Sequence, residues 1–295
     1  MSKYFILTYV ALFLVTFVNC ADPPPITSSP NRPKGKFSLN RSTGSPPYWG
    51  TVFIDPTVLT DEDPNASRNR IKFKGRKCRN IWHSHLNEWV GIKTYTFTMA
   101  FKDKIKFHVW VDPKYGSMKK AKEMARKVTR ILGSLPEFLR RHVHVIAILS
   151  EGEGANIDGP GGVITWHENT FNENGFDEEG FMHETAHTII DNDMYGTTAW
   201  ESAVQADPNY ISQYAKDYPD REDVAESFVA WYALKSGRLN NDDEEKISTA
   251  IPNRVALFDD LYSNEDFYPV SGKKSGTKYS MPKKIDYNGG WYHNC

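Results

Sequence analysis

The residues with the clearest capacity for chemistry lie in the stretch FMHETAHTIID, residues 181–191. His183 and His187 are four positions apart, so on an α-helix their imidazoles project from the same face. Two neutral imidazoles at this spacing can bind Zn²⁺, and Glu184 can serve as general base toward the water that zinc activates. A chain with nine histidines in 295 residues contains this pattern by chance only about 0.02 times. The spacing therefore predicts a catalytic zinc centre.

A zinc centre of this kind needs a third protein ligand. A third histidine six residues after His187 is absent, because Asp193 occupies that position. Downstream, REDVAESFVAWYAL (residues 221–234) has apolar residues at helical spacing, with Glu226 among small residues. A carboxylate on a partly buried helix must be paired or bound to metal. We therefore predict Glu226 as the third ligand, with three alternatives: Asp193, Glu201 and Glu222.

The motif needs a helix to hold it, and the flanking residues favour one. Asp177 follows Gly175 as a plausible N-cap, and the next two residues are glutamates, which suit the positive end of a helix. Apolar side chains then recur at helical spacing at Met182, Ala186 and Ile189. The sequence predicts that this helix packs one face against a core and presents the histidines from another.

The rest of the chain predicts an α+β fold. Residues 94–101 (TYTFTMAF) and 104–111 (KIKFHVWV) alternate in polarity across a two-residue break, which is typical of a β-hairpin. A helix is predicted over residues 117–132, a strand over 143–149 and a helical half from 176 to about 262. Strands first and helices after predict a small twisted sheet with mostly antiparallel edges, followed by the helices that carry the motif.

A short strand over residues 162–166 precedes the motif helix. The glycines between 159 and 162 would let another backbone approach closely. We interpret this strand as the edge of the sheet, along which an extended peptide substrate could pair.

Composition excludes some functions. The chain has 36 Lys and Arg against 37 Asp and Glu, so its net charge is −1 and it lacks the basic excess of nucleic-acid-binding proteins. The 13% aromatic content is typical of a globular chain.

The N-terminus has the pattern of a secretory signal. Lys3 precedes an uncharged apolar run over residues 5–18, which is too short to span a bilayer. We predict a signal peptide over 1–20, a flexible Pro- and Ser-rich leader over 21–48, one domain over 49–270 and an irregular tail over 271–295. The mature protein is expected to be secreted and not inserted in a membrane.

Export also determines how the cysteines are interpreted. Loss of Cys20 with the signal leaves Cys78 and Cys295, which we predict to form a disulfide. Asn40 and Asn65 begin N-glycosylation sequons, in agreement with a secretory route.

The run HETAHTIID followed by EDVAESF resembles the gluzincin metallopeptidases of the lethal-factor-like group. The resemblance is one of motifs and covers roughly residues 160–235. It implies a zincin-like fold, zinc ligation by His183, His187 and Glu226, and activation of water by Glu184. It also implies that Asp191 orients a ligand and that a tyrosine before the ligand glutamate stabilises the oxyanion. We predict Tyr214 for this last role, with Tyr218 as the alternative.

The sequence thus predicts a secreted zinc-dependent metalloendopeptidase that cleaves protein or peptide substrates. The alternative is a secreted zincin-fold binding or toxin-like protein whose metal is structural or whose catalysis is lost. A third possibility is hydrolysis of a non-peptide bond at the same site.

Overall fold

A computed structural model describes residues 44–50, 58–59, 66–67, 70–83, 86–152, 155–158, 163–170 and 176–262 of the chain. Its sheet strands are β1 (Lys72–His83), β2 (Glu88–Ala100), β3 (Lys106–Val111), β4 (Val145–Leu149), β5 (Ala155–Asp158) and β6 (Val163–His167). Its helices are α1 (Met118–Ser134), α2 (Glu137–Arg140), α3 (Asp177–Met194), α4 (Thr198–Ala206), α5 (Gln213–Asp217), α6 (Asp223–Ser236), α7 (Asn241–Ala250) and α8 (Pro252–Tyr262). Six strands and eight helices give the mixed α+β class that the sequence predicts.

The six strands form one sheet in the order β1-β2-β3-β4-β6-β5. The predicted hairpin is the antiparallel pair β2–β3, in which Phe97 lies opposite Val109. The pairs β3–β4 and β4–β6 are parallel, whereas β1–β2 and β5–β6 are antiparallel. The antiparallel pairs therefore lie toward the two edges, around a parallel centre.

The parallel centre follows from the helix predicted over 117–132. Ser117 caps α1, because its hydroxyl accepts the backbone N–H of Lys120 at 3.2 Å. The chain runs from β3 through α1 and α2 to β4, and such a crossover returns it in the same direction.

The main core fills the space between one sheet face and the helices. Both faces of β4 are buried, so its five residues VIAIL are all apolar. Ile146 and Ile148 join the main core, together with Leu132 of α1, Phe181 of α3 and Phe228 of α6. A smaller apolar cluster lies on the opposite face of the sheet: Ile81, Trp110, Val145, Ala147, Leu149 and Val163. The sheet is thus a fixed platform for α3.

The position predicted for the substrate-binding edge is wrong. β6 lies inside the sheet, with β4 parallel on one side and β5 antiparallel on the other. The outer strand at this end is β5, which the sequence pattern did not distinguish from the loop before β6. A strand of four residues carries too little periodicity to be recognised.

The folded unit begins before the predicted boundary at residue 49. The Tyr48 hydroxyl donates to Asp243 Oδ1 at 2.8 Å, and the Tyr48 carbonyl accepts the Gln213 N–H at 2.8 Å. The Asn209 amide also donates to the Ser45 carbonyl at 3.1 Å. The end of the predicted leader is therefore attached to the chain that precedes α5.

Several predictions concern residues outside the described ranges: the signal peptide, residues 21–43 of the leader, the asparagines of the two sequons and the tail over 271–295. Cys78 is disulfide-bonded, but Cys295 lies outside the described residues, so their pairing stays a prediction. Within the described part of the chain, no helix is long and apolar enough to cross a membrane.

Candidate metal centre

The motif residues lie on α3, as the sequence predicts. The helix begins one residue earlier than the capping pattern indicates, because Phe176 is the N-cap and Asp177 belongs to the first turn. The Asp177 carboxylate lies 3.6 Å from the Lys127 ammonium of α1. Acidic residues in the first turn stabilise the positive end of α3 whether or not one of them is the cap.

A close contact with Trp166 of β6 fixes the distance between α3 and the sheet. The indole of Trp166 on β6 stacks on the Phe181 ring, with 3.9 Å between centroids. At Gly180 an added Cβ would lie 2.9 Å from the end of the same indole. Glycine at this position lets the helix approach the tryptophan, which places the following turn, with His183 and Glu184, next to β6.

A second helix supplies carboxylates opposite the histidines. Glu222 is the N-cap residue of α6, and Glu226 lies one turn further along the same helix. The Glu226 N–H donates to the Glu222 carbonyl at 2.9 Å, so the two side chains lie on one face. That face of α6 packs against α3.

The start of α6 is held from two sides. The Val224 N–H donates to the Tyr195 hydroxyl at 3.3 Å, which joins α6 to the end of α3. Asp223, next to Glu222, lies 3.1 Å from the guanidinium of Arg254, a residue of α8 with no solvent exposure. These contacts restrict the position of the Glu222 backbone.

The two histidines and Glu222 converge on one point. The Nε2 atoms of His183 and His187 lie 3.1 Å apart. Glu222 Oε2 lies 3.3 Å from the first and 3.2 Å from the second. Among the described residues, these three form the one group of His, Cys, Asp or Glu side chains whose ligand atoms are close enough to share a metal ion.

The distances fit zinc. With bonds of about 2.0 Å, the edges of an ideal tetrahedron measure about 3.3 Å. The three observed separations of 3.1, 3.2 and 3.3 Å match three such edges. Two imidazole nitrogens and one carboxylate oxygen are also the donor set of catalytic zinc sites that keep a fourth position open. The residues present therefore fit a tetrahedral zinc ion.

Each imidazole is oriented through its other nitrogen. His187 Nδ1 lies 2.9 Å from Asp191 Oδ2, the residue predicted to orient a ligand. His183 Nδ1 lies 3.1 Å from Glu226 Oε1. The Ser212 hydroxyl donates to the other Glu226 oxygen at 2.6 Å, and Ser212 has no solvent exposure. A carboxylate at Nδ1 favours the tautomer in which Nε2 is free to bind metal.

At the point of convergence the structure places Glu222, one of the three alternatives, rather than Glu226, the preferred candidate. Glu226 contacts Nδ1 of His183, on the far side of the ring from that point. The physical reason is that the two carboxylates are one turn apart on the same face, so only the one at the helix start reaches both Nε2 atoms. Asp193 instead accepts a hydrogen bond from the Tyr262 hydroxyl at 3.2 Å, and Glu201 lies on α4.

A signal in the sequence could have identified Glu222. Each ligand histidine needs a partner at Nδ1 as well as the metal at Nε2. Asp191 can serve His187 from the same helix, but His183 has no acidic residue at a comparable position. The second helix must therefore provide two carboxylates, and Glu222 and Glu226 are the pair with helical spacing.

The electrostatics of the cluster favour positive charge between the carboxylates. Burial lowers the pKa of His183, but contacts with Glu222 and Glu226 outweigh it and raise the pKa to about 10. Burial opposes charge on His187 as well, and Asp191 and Glu222 raise its pKa well above the usual value. Despite burial, the two imidazoles hold the pKa of Glu222 far below its usual range. A cation placed here is stabilised by three surrounding carboxylates.

Glu184 occupies a different environment from the other carboxylates of the site. It is nearly buried, with 9% exposure. Burial raises the pKa of its carboxyl, and the neighbouring imidazoles partly offset this. A carboxylate whose pKa moves toward neutrality is better suited to accept and return a proton.

The tyrosines proposed for the oxyanion are placed differently from each other. The rings of Tyr214 and Tyr218 meet edge to face, with 5.2 Å between centroids. The Arg221 guanidinium lies over the Tyr218 ring at 4.8 Å, and Arg221 Nε lies 3.8 Å from Glu222 Oε1. The structure thus brings Tyr218 next to Arg221, a residue that contacts the cluster.

Comparisons with protein-family models, with curated proteins and with solved structures found no match to this chain.

Proposed function

We propose that this chain is a secreted zinc-dependent metallopeptidase that hydrolyses peptide bonds. One observation carries the proposal: three side-chain donors at tetrahedral spacing converge beside Glu184, an acidic residue on the same helix as two of them. A structural metal site is usually closed by four protein ligands. Three ligands and an adjacent carboxylate support catalysis instead.

In this proposal His183, His187 and Glu222 hold the metal. Zinc bound there would supply a Lewis acid that polarises the scissile carbonyl and lowers the pKa of water. Glu184 accepts a proton from the attacking water and passes it to the leaving amine. Glu226 and Asp191 keep the imidazoles in the orientation and tautomer that binding requires.

Tyr218 becomes the better candidate for stabilising the oxyanion. With Glu222 as the ligand, Tyr218 precedes it by four residues, and the Glu222 N–H donates to the Tyr218 carbonyl at 2.8 Å. Tyr218 is 41% exposed, which is compatible with contact to a substrate. Tyr214 is one further turn away from the ligand.

We propose that an extended peptide substrate binds along the outer edge of β5. Among the described strands β5 pairs only with β6, through one edge. The backbone groups along the free edge of such a strand can pair with a peptide. This proposal replaces β6, whose two edges are both occupied within the sheet.

The resemblance to gluzincins of the lethal-factor-like group is part of the proposal. It is supported by a motif helix facing a second helix that provides the acidic ligand. The chain departs from the expected assignment at Glu226 and at the preferred tyrosine. These departures alter the residue assignment but leave the reaction class unchanged.

A peptide library tests the proposal directly. The purified mature protein is incubated with the library, with and without a chelator, and cleaved bonds are identified by mass spectrometry. We expect cleavage that the chelator abolishes and that zinc restores. Glu184→Gln is expected to retain zinc but to lose at least about 100-fold in rate, because the general base is removed. Glu245→Gln makes the same change at an exposed position on α7 and should cleave normally.

Two results would contradict the proposal. Cleavage by Glu184→Gln at the wild-type rate would show that this residue is not the base. No chelator-sensitive cleavage of any peptide, in a protein with stoichiometric zinc, would favour the binding or toxin-like alternative with a structural metal.

A further inference from the structure

The balanced net charge of the chain conceals two oppositely charged halves. Residues 71–150 contain 18 Lys and Arg against 5 Asp and Glu. Residues 177–262 contain 6 Lys and Arg against 19 Asp and Glu. The strands and α1 are therefore strongly basic, and the helical half that carries the candidate metal centre is strongly acidic.

Burial makes the surface more positive than the balanced total suggests. Ten of the 19 acidic side chains in the helical half are buried, at the metal centre and in ion pairs such as that of Asp207 with Arg254. Of the 18 basic side chains in residues 71–150, only Arg140 is buried. Solvent therefore meets most of the cations of the basic half but only about half of the anions of the acidic one.

Within residues 71–150, the densest run of exposed cations lies on β1, where four fall within six residues. Lys72, Lys74, Arg76 and Lys77 are all exposed, and we refer to these four residues as the basic stripe. β1 is the outer strand at the end of the sheet opposite β5. At about 3.3 Å per residue, the basic stripe is about 17 Å long.

The lysines of the basic stripe are not neutralised by the described residues. None of Lys72, Lys74 and Lys77 forms an ion pair within the described part of the chain. Burial lowers the pKa of His108 on β3, and the positive charges of Arg79, Lys74 and Lys77 lower it further. The basic stripe therefore generates a positive potential that reaches the third strand of the sheet.

The surroundings of the basic stripe favour one kind of partner. A second copy of this chain is a poor match, because many of its acidic side chains are buried. Single-stranded nucleic acid requires aromatic rings on which bases stack. The one exposed large hydrophobic side chain described on β1, Phe73, packs against Tyr95 and Phe97. What the basic stripe offers is a run of cations beside a single exposed ring, rather than the succession of rings on which several bases stack.

We propose that the basic stripe on β1 binds a linear sulfated polysaccharide. The charges are complementary, and both partners are extended, so several sulfates can contact the cations of one strand. The inference is independent of the metal centre, because none of the four residues of the basic stripe belongs to that centre.

Titration with a heparin dodecasaccharide tests this inference on the full-length mature protein. We expect binding that weakens as salt increases and that disappears when the oligosaccharide is desulfated. The triple variant Lys72→Gln, Lys74→Gln, Lys77→Gln should bind at least about tenfold more weakly, since counterion release scales with the cations engaged. The matched control, Lys119→Gln, Lys120→Gln, Arg126→Gln, makes the same charge change at exposed positions on α1 and should bind as the wild type does.

Single-stranded DNA of equal charge and vesicles that contain anionic lipid are titrated in parallel. Binding to either that is tighter than binding to the dodecasaccharide overturns the inference, as does the absence of dodecasaccharide binding. An equal loss in the two triple variants also overturns it, because the general charge of the protein would then be responsible rather than the basic stripe. Peptide cleavage is expected to be unchanged in both variants.

Discussion

At the residue scale, the candidate site divides four carboxylates among three roles. Glu222 faces the two Nε2 atoms, Glu226 and Asp191 face the two Nδ1 atoms, and the buried Glu184 interacts electrostatically with both imidazoles. The same functional group thus serves as ligand, as orienting partner and as proposed base. Position relative to the imidazole rings determines which role each carboxylate has.

This division predicts unequal losses of zinc affinity. Glu222→Gln removes a ligand and is expected to abolish stoichiometric binding, whereas Glu226→Gln is expected to weaken it about 10- to 100-fold, as is usual for an orienting partner. Competition with a chromogenic chelator measures both affinities. If Glu226→Gln loses zinc and Glu222→Gln keeps it, the ligand assignment is reversed.

His142 provides a prediction for the dependence of stability on pH. Burial, followed by the charges of Arg141 and His144, lowers the pKa of His142 from 6.5 to about 4. The Arg141 Nε–H donates to His142 Nε2 at 3.1 Å, which requires a neutral ring. On acidification, His142 therefore takes up a proton in the unfolded chain before it does so in the folded chain. The contribution of neutral His142 to the stability of the folded state is complete above pH 6.5 and is lost as the pH falls from 6.5 toward about 4.

Thermal unfolding of the wild type and of His142→Gln measures this effect. The difference in melting temperature between the two proteins should shrink or reverse between pH 7 and pH 5, because the variant has no proton to take up. A difference that is constant over this range would show that His142 does not titrate in this way.

The sequence predicts much of the site at the residue scale but misplaces one ligand. The spacing of His183 and His187 is a local property of one helix, so it can be recognised without a structure. Glu222 and Glu226 are one helical turn apart on the same face of α6, so the sequence pattern does not distinguish them. Which of the two reaches the histidines depends on how α6 crosses α3. The contact between Ser212 and Glu226 is also a product of tertiary folding.

At the element scale, the site depends on how closely α3 approaches the sheet. Gly180 lies against the indole of Trp166, which is itself stacked on Phe181. Gly180→Ala would place a methyl group 2.9 Å from that ring. We expect it to destabilise the protein by about 1–3 kcal/mol, as overpacking does, and to weaken zinc binding because α3 shifts away from α6.

Denaturant unfolding and chelator competition measure the two effects of Gly180→Ala. Ala186→Gly is a useful comparison, because it changes a buried position on the same helix without adding an atom near Trp166. Unchanged stability in Gly180→Ala would show that the indole can move and that the contact does not position the helix.

The elements with a regular pattern of polarity are those that the sequence identifies. The β2–β3 hairpin, α1, α3 and the run of helices after residue 176 each have many residues with a regular pattern. β5 has four residues, and β1 contains the sequence KFKGRK, whose charges conceal its strand pattern. Both sheet edges were therefore missed, and with them the position of the proposed substrate-binding edge.

At the scale of the whole molecule, the two halves of the chain carry opposite charges. The helical half concentrates negative charge around a candidate cation site, and the strand half presents positive charge to solvent. The residues that end the predicted leader contact the helical half, because Tyr48 pairs with Ser212, whose hydroxyl binds Glu226. The net charge of the whole chain does not show this separation, because the opposite charges of the two halves cancel in the total.

The most direct test of the central claim is a titration of zinc into the metal-free protein while peptide cleavage is followed. We predict no cleavage without metal and a linear increase in rate that stops at one zinc per chain, because one set of three donors is responsible. Glu222→Gln should show no such endpoint under the same conditions. Cleavage that persists in the metal-free protein, or one bound zinc without any cleavage, would contradict the account.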